Sequence, residues 1–167
     1  PQYLIPQHFA SRLVRQLSNN EHPAFKNFLI KRFLGAYDIN LEEALCSSVD
    51  DYKNFNAFFT RKLKPDARIL PSDNLSVCSP ADGRISQFGA IENDLLIQAK
   101  GRRFSLSSFL AAQGHEIQRY NNGSFATIYL APNDYHRVHV PFDGKIVNAT
   151  FVPGKLFSVN QRTARSV

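Results

Sequence analysis

The chain has 167 residues, of which 43% are apolar, and a formal net charge of +6. That is enough chain for a domain with a real core, and too apolar for intrinsic disorder. No run approaches eighteen consecutive uncharged apolar residues, so no bilayer-spanning helix is expected, and the start shows no signal-peptide pattern.

The charge admits nucleic acid, an anionic membrane or acidic small ligands as partners. Phenylalanine occurs 14 times, while tryptophan and methionine are absent. With no initiating methionine, and with Val167 following Arg-Ser without a stop signal, the chain is expected to be a portion of a longer product. Cys46 and Cys78 lie in unlike contexts without metal-ligand spacing, and two free thiols are expected.

Residues 1–7 hold two prolines and should be extended. Phe9, Leu13, Val14 and Leu17 form a helical stripe over residues 8–17, with Arg12 and Arg15 on other faces. Asn19, Asn20 and Pro23 interrupt it. A second helix is predicted over 24–34, with Phe25, Phe28, Leu29 and Phe33 as its apolar side and Lys26, Lys31 and Arg32 around it. Gly35 is its stop. Glu21 is the only acid in this region, so two short basic, phenylalanine-rich helices could lie in a membrane interface. Two ordinary surface helices packed on a core would read the same way.

Asn40-Leu-Glu-Glu43 has the form of a capping box, predicting a short helix to about Cys46. Over residues 50–63, Phe55, Phe58, Phe59 and Leu63 recur at helical spacing. Arg61, Lys62 and Lys64 crowd the end, and Pro65 terminates it. The pattern then becomes β-like, with strands expected at 76–78, 84–88, 95–99, 125–130, 137–140 and 145–151, and a short one at 156–159. Lys100-Gly101 reads as a turn, and Ser105 as the cap of a helix around 106–112. The expected fold class is therefore α+β. A helical region at 1–64 precedes a β-rich domain at 65–167.

Two stretches carry chemistry: SPADGRISQFG at 79–89 and YLAPNDYHRVHVPFDG at 129–144. His136 and His139 miss the HExxH pattern, and on a strand a separation of three sends them to opposite faces. That geometry disfavours one shared metal and suits two separate roles, although an exposed histidine needs no role. Asp82 in Pro-Ala-Asp-Gly would ordinarily just make a turn. Its functional alternative is a carboxylate against an imidazole, the orienter in a nucleophile–base–orienter set. No GxSxG, phosphate loop, RNP-like, helix-turn-helix or zinc pattern accompanies the pair, and no nucleic-acid partner is expected.

Together with FNAFFTRKLKPDARI at 55–69, IQAKGRRFSL at 97–106 and VPGKLFSVN at 152–160, these stretches resemble the phosphatidylserine decarboxylase proenzyme family, the large form of Gram-negative bacteria and mitochondria. The resemblance implies a chain that cleaves itself at a Leu-Gly-Ser-Thr-like motif. The serine hydroxyl attacks the preceding carbonyl. β-Elimination of the ester and hydrolysis leave a pyruvoyl group on the new α chain.

Carried over by motif, Asp82 and His139 are the orienter and base. His136 is the candidate for the decarboxylation step, where a proton must return to the carbon. The pyruvoyl serine would lie beyond Val167, so this chain would be a β portion, and no metal is implied. The implied partners are the α chain, phosphatidylserine, an anionic membrane surface and a second αβ unit as homodimer. The implied location is peripheral, at the cytoplasmic face of the bacterial inner membrane. A non-catalytic anionic-lipid-binding domain and a metal-dependent hydrolase on His136, His139 and an aspartate are the rival classes.

Overall fold

The computed structural model describes residues 6–154 apart from 74, 93–94, 99–101 and 112–113. The Lys100-Gly101 turn, the strand at 156–159 and most of VPGKLFSVN lie outside the described residues, as do residues 1–5 of the expected extended start. The fold is α+β, in two compact units. One comprises the chain up to Gly83 with Leu130–Ala149, the other Arg84–Tyr129 with Thr150–Gly154.

In the first unit, α1 spans Gln7–Ser18 and α2 spans Pro23–Ala36. The break between them is built by asparagines. Asn19 closes α1 by donating its side-chain amide to the Arg15 carbonyl at 2.8 Å, and Asn20 Oδ1 accepts from His22 N–H at 2.9 Å. Pro23 then opens α2, where its missing N–H costs nothing.

None of the described α1 residues is buried. In α2 the inward stripe is Lys26, Ile30, Phe33 and Leu34, while Phe28 is 59% exposed. This corrects the expected orientation, which put Lys26 outside and Phe28 inside. The reason is a polar demand on the opposing chain: Lys26 Nζ donates to the Val49 and Asp50 carbonyls at 3.3 and 3.1 Å. Its aliphatic stem is buried with the head, the residue being 6% exposed.

The core of this unit is Ile30, Tyr52 and Phe58, with Phe33, Leu34 and Phe55 packed against it. Phe33 makes edge-to-face contacts with Phe55, Phe58 and Phe59 at centroid separations of 5.3, 6.1 and 5.8 Å, a geometry the ring quadrupole favours.

Two expected helices are replaced here. The one predicted over 50–63 divides into a 3-10 turn at Val49–Asp51 and α3 at Phe55–Phe59. Asn54 breaks the run by capping α3, its Oδ1 accepting Ala57 N–H at 2.9 Å. The capping box at Asn40 starts no helix. Asn40 Oδ1 accepts Glu42 N–H at 2.9 Å, and Ala44 forms an antiparallel bridge with Leu63 instead. Burial of Ala44 to 0% exposure rewards the pairing.

The second unit contains β1 (Arg84–Ala90), β2 (Leu95–Gln98), β3 (Arg102–Ser105), α4 (Leu106–Leu110), α5 (His115–Gln118) and β4 (Ser124–Tyr129). β1 pairs antiparallel with β4, with a bulge between Ile85 and Gln87. The hydroxyl of the extra residue, Ser86, donates to the Thr127 carbonyl at 3.1 Å. Gly89 lies opposite Phe125, where a Cβ would stand 3.2 Å from the ring and make it give by a few tenths of an ångström.

β2 and β3 pair antiparallel. The second strand is invisible to an alternation pattern because Arg102 and Arg103 interrupt it. Ser105 caps α4 as expected, accepting Ser108 N–H at 3.1 Å. Ile91, Leu106 and Ile117 form the core, with Leu110 and Phe125 against it.

The strands expected at 76–78, 137–140 and 145–151 do not form as ladders. For the first two the cause is proline. Cys78 N–H donates to the Pro141 carbonyl at 2.9 Å and His139 N–H to the Pro80 carbonyl at 2.7 Å, an antiparallel register. The reciprocal bonds would need N–H groups on Pro141 and Pro80, which have none. At 145–151 the residues are strand-like, but Val147 is 91% and Phe151 89% exposed, and no strand pairs with them among the described residues.

Candidate active site

That proline-interrupted pairing positions the chemistry of the first unit. It ties the Pro-Ala-Asp-Gly turn to the segment carrying both histidines. Gly83 has φ +153°, a conformation open to glycine, so the turn can swing sharply after Asp82. Asp82, Tyr135 and His139 line one open cavity of about 870 Å³, with Arg68, Lys62 and Lys64 also in its wall. Ile69, Leu70 and Val140 add apolar surface there.

His139 is held at both ends. Its backbone is fixed on Pro80, and its Nε2 lies 2.9 Å from the hydroxyl of Tyr135, whose side chain is buried. The two rings stack at 5.5 Å with 20° between planes. With Nε2 engaged, Nδ1 is the second nitrogen available to a partner.

Asp82 is held differently. Its hydrogen bonds among the described residues go to Arg68, whose Nε donates at 3.2 Å to Oδ1 and 3.0 Å to Oδ2, rather than to an imidazole. Arg68 Nη2 also donates to Oδ2. The same guanidinium grips Glu43, with Nη1 at 2.8 Å from Oε2 and Nη2 at 3.1 Å from Oε1. Hydrogen bonds to Glu43 first, and to Asp82 second, hold the guanidinium in its charged form well above its ordinary range.

His136 has separate surroundings. Its Nδ1–H donates to the Asp134 carbonyl at 2.8 Å, and its ring lies 4.1 Å from that of Phe59, tilted 45°. It is not among the cavity-lining residues. Behind it the scaffold is tied by arginines. Arg137 Nε donates to the Thr60 carbonyl at 2.8 Å, and Arg61 Nη2 to the Asn133 carbonyl at 3.1 Å. Burial lowers the pKa of Arg61 from its ordinary value, opposed chiefly by Tyr52.

Of the three residues singled out by sequence, two share the cavity wall and His136 packs elsewhere. Tyr135, Arg68 and Glu43 were not singled out. Spacing does not announce the first, since a separation of four joins side chains on a helix and residues 135–140 form none. No local pattern announces the other two.

Comparison with known proteins agrees with the motifs. A family model described as phosphatidylserine decarboxylase matches residues 55–167, and a second, described as PSD, matches residues 1–38. The phosphatidylserine decarboxylase proenzyme of Methylococcus capsulatus is 48% identical over 166 residues, covering 99% of this chain and 58% of that protein. The proenzyme of Francisella tularensis subsp. novicida is 49% identical, covering 99% and 57%, and that of Shewanella baltica 48%, covering 99% and 57%. The chain thus spans little more than half the length of these relatives. On the family match and the identity across nearly its whole length, the chain belongs to the phosphatidylserine decarboxylase family.

Proposed function

We propose that this chain is the β portion of a self-cleaving proenzyme that decarboxylates phosphatidylserine to phosphatidylethanolamine, with Asp82 and His139 driving the self-cleavage. The observation that carries this reading is the 2.7 Å bond from His139 N–H to the Pro80 carbonyl, which ties the base to the turn bearing its carboxylate. In a nucleophile–base–orienter set, one imidazole nitrogen faces the carboxylate and the other the attacking hydroxyl. The Tyr135 hydroxyl, 2.9 Å from Nε2, stands where such a hydroxyl belongs. Nδ1 is then the nitrogen for Asp82. His139 takes the proton of the serine hydroxyl as it attacks the carbonyl before it, and Asp82 stabilises the imidazolium.

The cavity also suits a pyruvoyl group, since an imidazole and a carboxylate lie in a wall shared with Lys62 and Lys64, cations that fit an anionic headgroup. When bound, that group supplies a carbonyl able to accept the electrons released as CO₂ departs. This chain's residues hold the headgroup, give it an apolar border at Ile69, Leu70 and Val140, and deliver a proton. That delivery is assigned to His136, whose Nδ1 is committed to Asp134; because its ring packs on Phe59 outside the cavity wall, Nε2 must turn toward the substrate for the step.

Docking falls to α1. Its Phe9 and Val14 are 69% and 63% exposed beside Arg12 and Arg15, the pattern of a helix lying in an anionic membrane interface. No helix among the described residues is long and apolar enough to cross a bilayer. Peripheral residence on the cytoplasmic face of the inner membrane, as a homodimer of αβ units, completes the proposal.

Substitution in the full-length proenzyme tests the division of roles. His139→Ala leaves an uncleaved chain on a gel. His136→Ala cleaves but decarboxylates poorly. Full cleavage of the His139→Ala protein, with carbonyl reactive toward hydroxylamine, would remove His139 from the mechanism.

A further inference from the structure

The Arg68 guanidinium has five N–H groups, and all are engaged. Nε serves both oxygens of Asp82, and Nη2 is divided between Asp82 Oδ2 and Glu43 Oε1. Nη1 bonds Glu43 Oε2 at 2.8 Å and the Ala67 carbonyl at 2.6 Å. The consequence for Asp82 is asymmetric. Oδ2 accepts two N–H groups and is saturated, whereas Oδ1 accepts one, at 3.2 Å, and keeps a lone pair.

Glu43 is itself fixed. Its carbonyl accepts Lys64 N–H at 2.9 Å, and Leu45 N–H reaches the Lys62 carbonyl at 2.8 Å. The bridge at 43–45 therefore anchors the carboxylate that anchors Arg68. We propose that Arg68, braced by Glu43, is the positioning residue for Asp82, saturating one carboxylate oxygen and presenting the other to the His139 imidazole. This rests on the reading of Asp82 and His139 given above.

An exposed ion pair ordinarily adds little to stability and has no bearing on chemistry. Here the side chains of Arg68, Glu43 and Asp82 are 41%, 25% and 31% exposed, and the guanidinium is braced from two sides. A positioning role therefore has to be read from self-cleavage at constant fold. The other titratable groups in the cavity wall, Lys62, Lys64, Cys78, Tyr135 and His139, are left in place.

The experiment follows self-cleavage of the full-length proenzyme by gel, with thermal melting alongside. Arg68→Ala is expected to slow cleavage about ten-fold or more, as misplaced catalytic groups do, with melting unchanged. Arg68→Lys keeps the charge without the fork and should recover part of the rate. If Arg68→Ala melts early, Glu43→Gln is the second variant. It leaves the Arg68–Asp82 pair intact and should slow cleavage about three-fold by loosening the brace. Wild-type or faster cleavage in Arg68→Ala, or wild-type cleavage in Glu43→Gln, overturns the proposal. Asp82→Asn separates the levels. If it cleaves normally, the Asp82–His139 reading itself fails. If it is blocked while Arg68→Ala is normal, only the positioning role falls.

Discussion

α1 and α2 are alike in sequence and unlike in place. Both are short and basic, with phenylalanine among their apolar residues, one in α1 and three in α2. Yet α1 buries no described residue, while α2 buries Ile30 completely and turns even a lysine inward. The difference lies in what faces them. α2 meets an aromatic wall made by Tyr52, Phe55 and Phe58, and two carbonyls that need donors. α1 keeps its apolar stripe exposed. Amphipathicity thus specifies that a helix has something to cover, and only its surroundings specify what.

The sharpest break in that comparison comes from paired truncations. Ile30→Ala should cost about 2–5 kcal/mol in denaturant unfolding, as buried aliphatic truncations do. Phe9→Ala, on the exposed stripe, should stay within about 0.5 kcal/mol. Equal costs would mean that α1 is also a core helix.

The second measurement inverts the readout. Phe9→Ser with Val14→Ser should weaken flotation on phosphatidylglycerol vesicles, at up to about 1.5–3 kcal/mol per apolar side chain removed from the interface. Melting should not move. Deleting the whole region to residue 37 is the poorer test, because it takes α2 and the core with it. Unchanged flotation would take the membrane role away from α1.

Lys26 gives a smaller effect. Lys26→Met keeps the stem but orphans the Val49 and Asp50 carbonyls, at about 1–3 kcal/mol. Lys31→Met, exposed on the same helix, should be silent. A Lys26→Met protein as stable as wild type would show that water satisfies those carbonyls.

The smallest effect is in pH. Burial, reinforced by Cys46 and opposed by Arg61, raises the Tyr52 phenol above its ordinary value of 10.0. The folded state therefore favours the protonated phenol. That stability is fully present below the unfolded value and is lost as pH rises through the folded one. Tyr52→Phe should flatten this alkaline loss. An identical profile in the variant would assign the loss to another group.

What could be read from the chain follows the range of the physics. The existence of α1 and α2, the Ser105 cap, the Gly83 turn, the strand at Ser124–Tyr129 and the α+β class rest on neighbours a few residues apart, whereas the buried face of α2 did not follow from its spacing. The helix expected over 50–63 failed at Asn54, whose capping capacity outweighed the spacing of phenylalanines. The strands at 76–78 and 137–140 failed at Pro80 and Pro141, which lack the donors that would complete their ladder.

Five stretches together carry the family resemblance, and two of them, with Pro-Ala-Asp-Gly and Tyr-His-Arg-Val-His, single out Asp82, His136 and His139. Tertiary structure alone decided their company. Asp82 meets Arg68 from 14 residues away, and Arg68 meets Glu43 from 25. His139 and Pro80 join across a longer gap, and His136 turns to Phe59 instead of the cavity. Periodicity and motif fix the chemistry each position can offer. Hydrogen bonds and ion pairs between distant segments depend on where the chain returns, and that is set by packing of the whole unit.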